Sequence, residues 1–286
     1  MKPLADIIVL SPHLDDAVLS LGAMIGREAA KGRRVEVWTC FTTGPELETI
    51  PASLRTLGDY SMRRNEDKRA LDALGAHPRW FNLQERLWRQ PALKRHYHIF
   101  HTPPTLEEFA ALPALRAIAR ELILGTSEFY APLGVGHHHD HVEVALAVMV
   151  EMLALNKMDR VRFYEDPYAS GEFCRRAHFV TRRGLWKLRH SPALASPRMG
   201  LLSTGAALCA KGPPIEAYIP EAISLEWSFT NLPVDQQDEH RKLMAVAEYT
   251  SQVKASGGVS AVNAFIRQTH VAVNGEPYWQ AHPKQL

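Results

Sequence analysis

Asp6-Ile7-Ile8-Val9-Leu10 is a short β-branched run that stops at Ser11-Pro12, the pattern of a buried parallel strand. From Ala17 to Lys31 the apolar spacing turns helical, and Gly32 follows as a C-cap. Val35 to Phe41 reads as a second strand that ends in the loop Thr42-Thr43-Gly44. Strand, helix and strand within about forty residues make a βαβ unit, whose crossover is right-handed. The rhythm continues with a helix over Ser61 to Leu74 closed by Gly75, a strand over Trp80 to Leu83, a helix over Leu112 to Leu124 and a strand over Glu128 to Ala131. A helix over Val142 to Leu155 and a strand over Val161 to Tyr164 complete it. The pattern predicts an α/β fold with a Rossmann-like, mostly parallel sheet sandwiched by helices.

Between these elements, Gln84 to Pro104 is polar, aromatic and irregular, the signature of a long functional loop. Beyond about residue 170 the pattern loosens, and two amphipathic stretches, Gln236 to Val253 and Val259 to Thr269, predict C-terminal helices. We expect one domain over residues 1–286, with a core to about residue 170 and an irregular C-terminal extension from about 171.

Composition narrows the function classes. With 46% hydrophobic and 22% charged residues the chain can build a sizeable core. A formal net charge of +2, with Lys and Arg scattered, offers no basic stripe for nucleic acid or a membrane surface. Cys40, Cys174 and Cys209 form no CxxC pair, which argues against a disulfide framework or a thiolate metal site and makes the cytoplasm the simplest compartment. The N-terminal apolar run is too short for a signal peptide, and no segment reaches the ~18 apolar residues of a membrane span.

The chemistry gathers at two strand ends. Pro12-His13-Leu14-Asp15-Asp16 follows the first strand directly, where parallel sheets open their ligand crevices. A turn there points His13 and Asp16 at one ion, and imidazole with carboxylate suits a first-row divalent metal. Asp15 need not ligate, because a free carboxylate beside a metal site is what a general base requires. The richest source of a third ligand is His137-His138-His139-Asp140-His141, which follows another strand and opens the Val142 helix. Taken singly, the first cluster reads as an N-cap, while a solvated loop or an adventitious metal binder is the alternative to a site for the second. Their joint occurrence after two buried strands favours a metal centre.

Ser11 to Gly22 resembles the signature of the PIG-L (LmbE-like) family of zinc-dependent N-deacetylases, and His138-His139-Asp140-His141 resembles that family's His-Pro-Asp-His signature. Arg63-Arg64-Asn65-Glu66 is similar to its Arg-x-x-Glu helix, and Phe163-Tyr164-Glu165-Asp166-Pro167-Tyr168 to a Tyr-Glu-Asp segment of one bacterial branch. Ala247 to Gln252 and Glu276 to Trp279 resemble that branch's C-terminal pattern. The resemblance implies one Zn2+ per chain held by His13, Asp16 and His141, with Asp15 as general base. It makes His138 the histidine that stabilises the oxyanion, in protonated form and oriented by Asp140. It also implies substrate contacts by Arg63 and Glu165. His139 stands where the family carries proline, so the sequence leaves open which of His137, His138 and His139 fills the oxyanion role.

The reaction so implied is hydrolysis of an N-acetyl group from an N-acetylglucosamine-like amino sugar. A non-catalytic zinc- or sugar-binding module of the same fold is the rival from a different class, and Asp15 beside a full ligand set counts against it. Gly134-Val135-Gly136 lacks the third glycine of a dinucleotide fingerprint, and no Gly-x-Ser-x-Gly elbow occurs.

Overall fold

The computed structural model describes residues 5–166, 171–183 and 195–284. Its strands are β1 (Ile7–Ser11), β2 (Val35–Thr43), β3 (His77–Gln84), β4 (Glu128–Pro132), β5 (Val161–Tyr164), β6 (Glu226–Leu232) and β7 (Glu276–His282). Its helices are α1 (Asp16–Ala30), α2 (Arg55–Gly58), α3 (Tyr60–Leu74), α4 (Leu112–Leu124), α5 (His139–Ala154) and α6 (Glu172–Ala177). They continue with α7 (Pro197–Cys209), α8 (Ile215–Tyr218), α9 (Gln236–Ala247), α10 (Thr250–Ala255) and α11 (Val259–Val273). Helix starts follow capping chemistry where it is available: Asp59 accepts the Met62 N–H at the head of α3, and Asp235 accepts the Asp238 N–H at the head of α9.

All seven strands form one sheet in the order β3-β2-β1-β4-β5-β7-β6. The first five are parallel, and β7 runs antiparallel to both β5 and β6. The expected mostly parallel α/β sheet is therefore present. The strands β6 and β7, which fall in the stretch expected to be irregular, extend that same sheet. The Gln236 to Val253 stretch is two helices, α9 and α10, rather than one. Alternation within the buried strands feeds two cores. Ile8, Leu10, Phe129 and Phe163 pack under α4 and α5, whereas Ile7, Val9, Val37 and Tyr130 pack under α1, α3, α9 and α11. Among the described residues no helix is long and apolar enough to cross a membrane.

Two features of this frame set the site. First, β1 pairs with β2 on one side and β4 on the other, so the chain leaves the ends of β1 and β4 in opposite directions and a crevice opens between them. Second, α1 breaks its helical geometry at Leu21 (φ −122°, ψ 19°). The N–H groups of Ala23 and Met24 are given to the buried carboxylate of Glu276, at 3.0 and 2.8 Å. Lys242 Nζ lies 2.7 Å from the same carboxylate and also reaches the Ser20 carbonyl.

Candidate metal centre

The turn after β1 is closed by its own side chains. Ser11 Oγ donates to the His13 carbonyl and accepts from the Ala17 N–H, while Asp16 Oδ2 accepts from the His13 N–H at 2.9 Å. That folds the carboxylate of Asp16 back beside the ring of His13. Across the crevice, Gly134 (φ +78°) lets the loop after β4 lie against α5, where a Cβ would stand 3.0 Å from Ala145 Cβ. The next turn delivers His141 from the first turn of α5, a helix that begins at His139 and so includes the end of the histidine cluster.

Three ligand atoms converge there. His13 Nδ1 is 3.1 Å from Asp16 Oδ2 and 3.1 Å from His141 Nε2, and His141 Nε2 is 3.2 Å from Asp16 Oδ2. A tetrahedral zinc ion with ligands at about 2.0–2.1 Å spaces them roughly 3.3 Å apart, so this triangle is one face of such a site. His138 joins a looser set with His13 and His141, whose ligand atoms lie within 4.8 Å of one another. The triangle is the tighter of the two sets, and a metal held by it would have His138 as a neighbour rather than a ligand. Each ligand imidazole also meets a carboxylate through its other nitrogen. His141 Nδ1 donates to Asp166, and His13 Nε2 lies 3.2 Å from Asp140 Oδ2.

The electrostatics favour positive charge at this point. Burial pulls the His13 imidazole down, but Glu85, Asp140 and Asp16 outweigh it and hold it well above its usual value. His141 is likewise pulled down by burial, yet Asp16 and Asp166 carry it up to about 9. Burial opposes the ionisation of Asp16, and His141 and His13 overcome it and hold the carboxyl well below the usual range. A pocket that retains protons on two imidazoles is one that a divalent cation can occupy in their place.

The neighbouring residues divide into those at the centre and those that support it. Asp15 is pushed up to about 6 by burial and by Asp16, against the pull of Arg63 and His13. The ring of His138 stands 5.1 Å from that of His13 and 5.0 Å from that of His141. His137 turns away to Thr102 Oγ1 and the Lys211 carbonyl, and His139 to the His101 carbonyl and the ring of Phe109. The structure thus brings His138, of the three histidines left open, to the centre. Burial, with His141 and His13 alongside, holds His138 well below its usual value. Asp140, expected to orient His138, interacts with it electrostatically and contacts His13, the Arg86 N–H and Arg89.

The two expected substrate contacts are packed inward. Glu165 accepts from Arg175 Nε at 2.8 Å, from Arg175 Nη2 at 2.9 Å and from Trp279 Nε1 at 2.8 Å, and is 7% exposed. Pro167 and Tyr168 of the same segment lie outside the described residues. Arg63 is 5% exposed, with Nη1 donating to Glu85 at 2.7 Å and its guanidinium over the Tyr60 ring. Glu66 accepts from Thr250 Oγ1, the Ser251 N–H and Ser251 Oγ, docking α10 onto α3. Sequence reasoning missed Glu85, whose carboxylate acts on both His13 and Arg63. Its position directly after β3, at the edge where the other clusters emerge, was the available signal.

These parts define a class: a Rossmann-like α/β protein with an imidazole–carboxylate centre at the carboxyl edge of its parallel strands. The family model PIG-L, described as GlcNAc-PI de-N-acetylase, matches residues 8–152, and the chain belongs to that family. No curated protein matches it in sequence. Among solved structures it is similar to the A40926 pseudoaglycone deacetylase Dbv21, at 21% identity and a TM-score of 0.62 over 97% of this chain and 96% of that one. The zinc-inhibited form of teicoplanin deacetylase Orf2 matches at 22% identity and 0.62 over 98% of each. A conserved protein from Thermus thermophilus matches at 16% identity and 0.52 over 99% and 97%. At these identities the structures speak for the shared fold.

Proposed function

We propose that this protein is a zinc-dependent N-deacetylase, an amide hydrolase that removes the acetyl group from an N-acetylglucosamine-like amino sugar. The observation that carries the reading is the triangle of His13 Nδ1, Asp16 Oδ2 and His141 Nε2, with the half-buried Asp15 adjacent to Asp16 in the chain and interacting electrostatically with Asp16 and His13. Family membership and the two deacetylase neighbours named above support the reaction class.

His13, Asp16 and His141 would hold one zinc ion per chain. When bound, zinc polarises the amide carbonyl and lowers the pKa of water toward ~7. Asp15 accepts the proton of the attacking water, a task for which a carboxyl raised toward neutrality suits better than an ordinary one. His138, neutral, donates one N–H to the carbonyl oxygen as negative charge develops there. The proton held on Asp15 then passes to the departing amine, and acetate and the free amino sugar leave. Arg63 acts on this sequence through Asp15 and Glu85 rather than by touching the sugar.

The test is incubation of zinc-loaded protein with a panel of N-acetyl amino sugars, followed by mass spectrometry. Loss of one acetyl group from at least one of them, dependent on zinc and abolished in Asp15→Asn, is the expected result. Binding of the sugars without any acetyl loss would favour the non-catalytic module instead.

A further inference from the structure

Arg89 belongs to the irregular loop that follows β3, and no signature motif includes it. Its side chain is 11% exposed, and its guanidinium bridges two carboxylates on the first two turns of α5. Nη1 donates to Glu143 Oε2 at 2.8 Å, Nη2 donates to Asp140 Oδ1, and the group stands 5.1 Å over the ring of Phe41. Asp140, 1% exposed, accepts the Arg86 N–H at 2.9 Å through Oδ2, the oxygen that lies 3.2 Å from His13 Nε2.

A carboxylate buried this deeply is costly unless it is paired and fully bonded, and Arg89 is the cation that pairs it. With Oδ1 fixed by Arg89 and Oδ2 by the Arg86 amide, the carboxylate plane cannot rotate. It therefore offers His13 Nε2 an anionic acceptor at a fixed place, keeps the proton on that nitrogen and leaves Nδ1 to face Asp16 and His141. We infer that Arg89 is a positioning residue of the metal centre, which through Asp140 fixes the ring of His13 and thereby strengthens the binding of a divalent metal. The inference rests on the zinc reading above. Glu143 supplies an internal control, because it shares Arg89 but its other oxygen accepts the Ala111 N–H, away from His13.

The experiment measures zinc affinity by competition with a chromophoric chelator, which needs no substrate. Arg89→Met and Asp140→Asn should each weaken zinc roughly 10–100-fold, the usual cost of losing a partner behind a ligand. In the Asp140→Asn background, Arg89→Met should add less than about twofold, because both act through one carboxylate. Glu143→Gln should stay within about twofold of wild type, and Arg89→Lys should recover part of the lost affinity. Arg89→Met at wild-type affinity, or losses that multiply in the double variant, would overturn the inference. If Arg89→Met does not fold by circular dichroism, Arg89→Lys replaces it in the same cycle. Wild-type protein that binds no zinc would overturn the metal reading itself, and this inference with it.

Discussion

His13 Nδ1 stands 3.1 Å from His141 Nε2 although 128 positions separate the two residues. The pairing of β1 with β4 makes them neighbours, and Asp16 completes the set. Purified protein should carry about one divalent metal per chain, and His13→Ala, Asp16→Asn or His141→Ala should remove most of it, since three protein ligands leave no spare donor. Elemental analysis of the variants checks this; metal content unchanged by all three would dismiss the assignment.

Asp15 and His138 should separate catalysis from metal binding. Asp15→Asn and His138→Ala should each keep their zinc and lower kcat by ~10²-fold or more, the scale of losing a general base or an oxyanion donor. His137→Ala and His139→Ala, whose rings are bonded to the surrounding loops, should be mild in kcat. Kinetics and metal content measured together decide it, and near-normal turnover in Asp15→Asn would end the proposed mechanism.

Glu165 should behave as a structural residue. Its carboxylate is taken by Arg175 and Trp279, so Glu165→Ala strands a buried guanidinium and should cost about 3–5 kcal/mol of stability. Denaturant titration should show that loss, whereas Glu165→Gln should change KM by less than about twofold while lowering the denaturation midpoint. A large rise in KM at unchanged stability would return Glu165 to the substrate.

Asp67 should make stability depend on pH. Burial pushes its carboxyl up to about 7, against the hydrogen bonds from Trp80 Nε1 and Tyr249 Oη. A folded-state value above the unfolded ~3.9 means that this group's contribution is fully present below pH ~4 and is lost as pH rises through about 7. The contribution of this group should therefore fall between about pH 4 and pH 7, by up to a few kcal/mol. Asp67→Asn, which is neutral throughout, should flatten that slope. Parallel pH–stability curves for the two proteins would refute the assignment.

Much of this was legible because local chemistry and global topology agree. The apolar runs over Ile7 to Leu10 and Val161 to Tyr164 are strands in the parallel sheet, and the His13 and His141 clusters were placed at one edge by the rule that parallel strands open ligand crevices at their carboxyl ends. What escaped was tertiary. The strand Glu226–Leu232 does alternate polar and apolar residues from Glu226 to Thr230, but its place at the sheet edge beside β7 is a long-range pairing that this local pattern does not encode. The partners of Asp140 and Glu165 come from Arg89 and Arg175, on an irregular loop and a short helix whose placement no periodicity encodes. Where a motif says which residue types gather, only packing says which carboxylate faces which cation.

The break in α1 ties the start of the chain to its last strand. Asp16 heads that helix, and the amides freed at its break have their acceptor in Glu276. Protein synthesis emits residues at roughly 5–20 per second from the N-terminus, so the metal-binding turn emerges long before that acceptor exists. A nascent chain can form the β1–α1–β2 unit early, but the α1 seen here is finished only when Glu276, with Lys242 already made, docks against it. A chain that lacks β7 would carry the ligands of the site without the acceptor that completes the helix behind them.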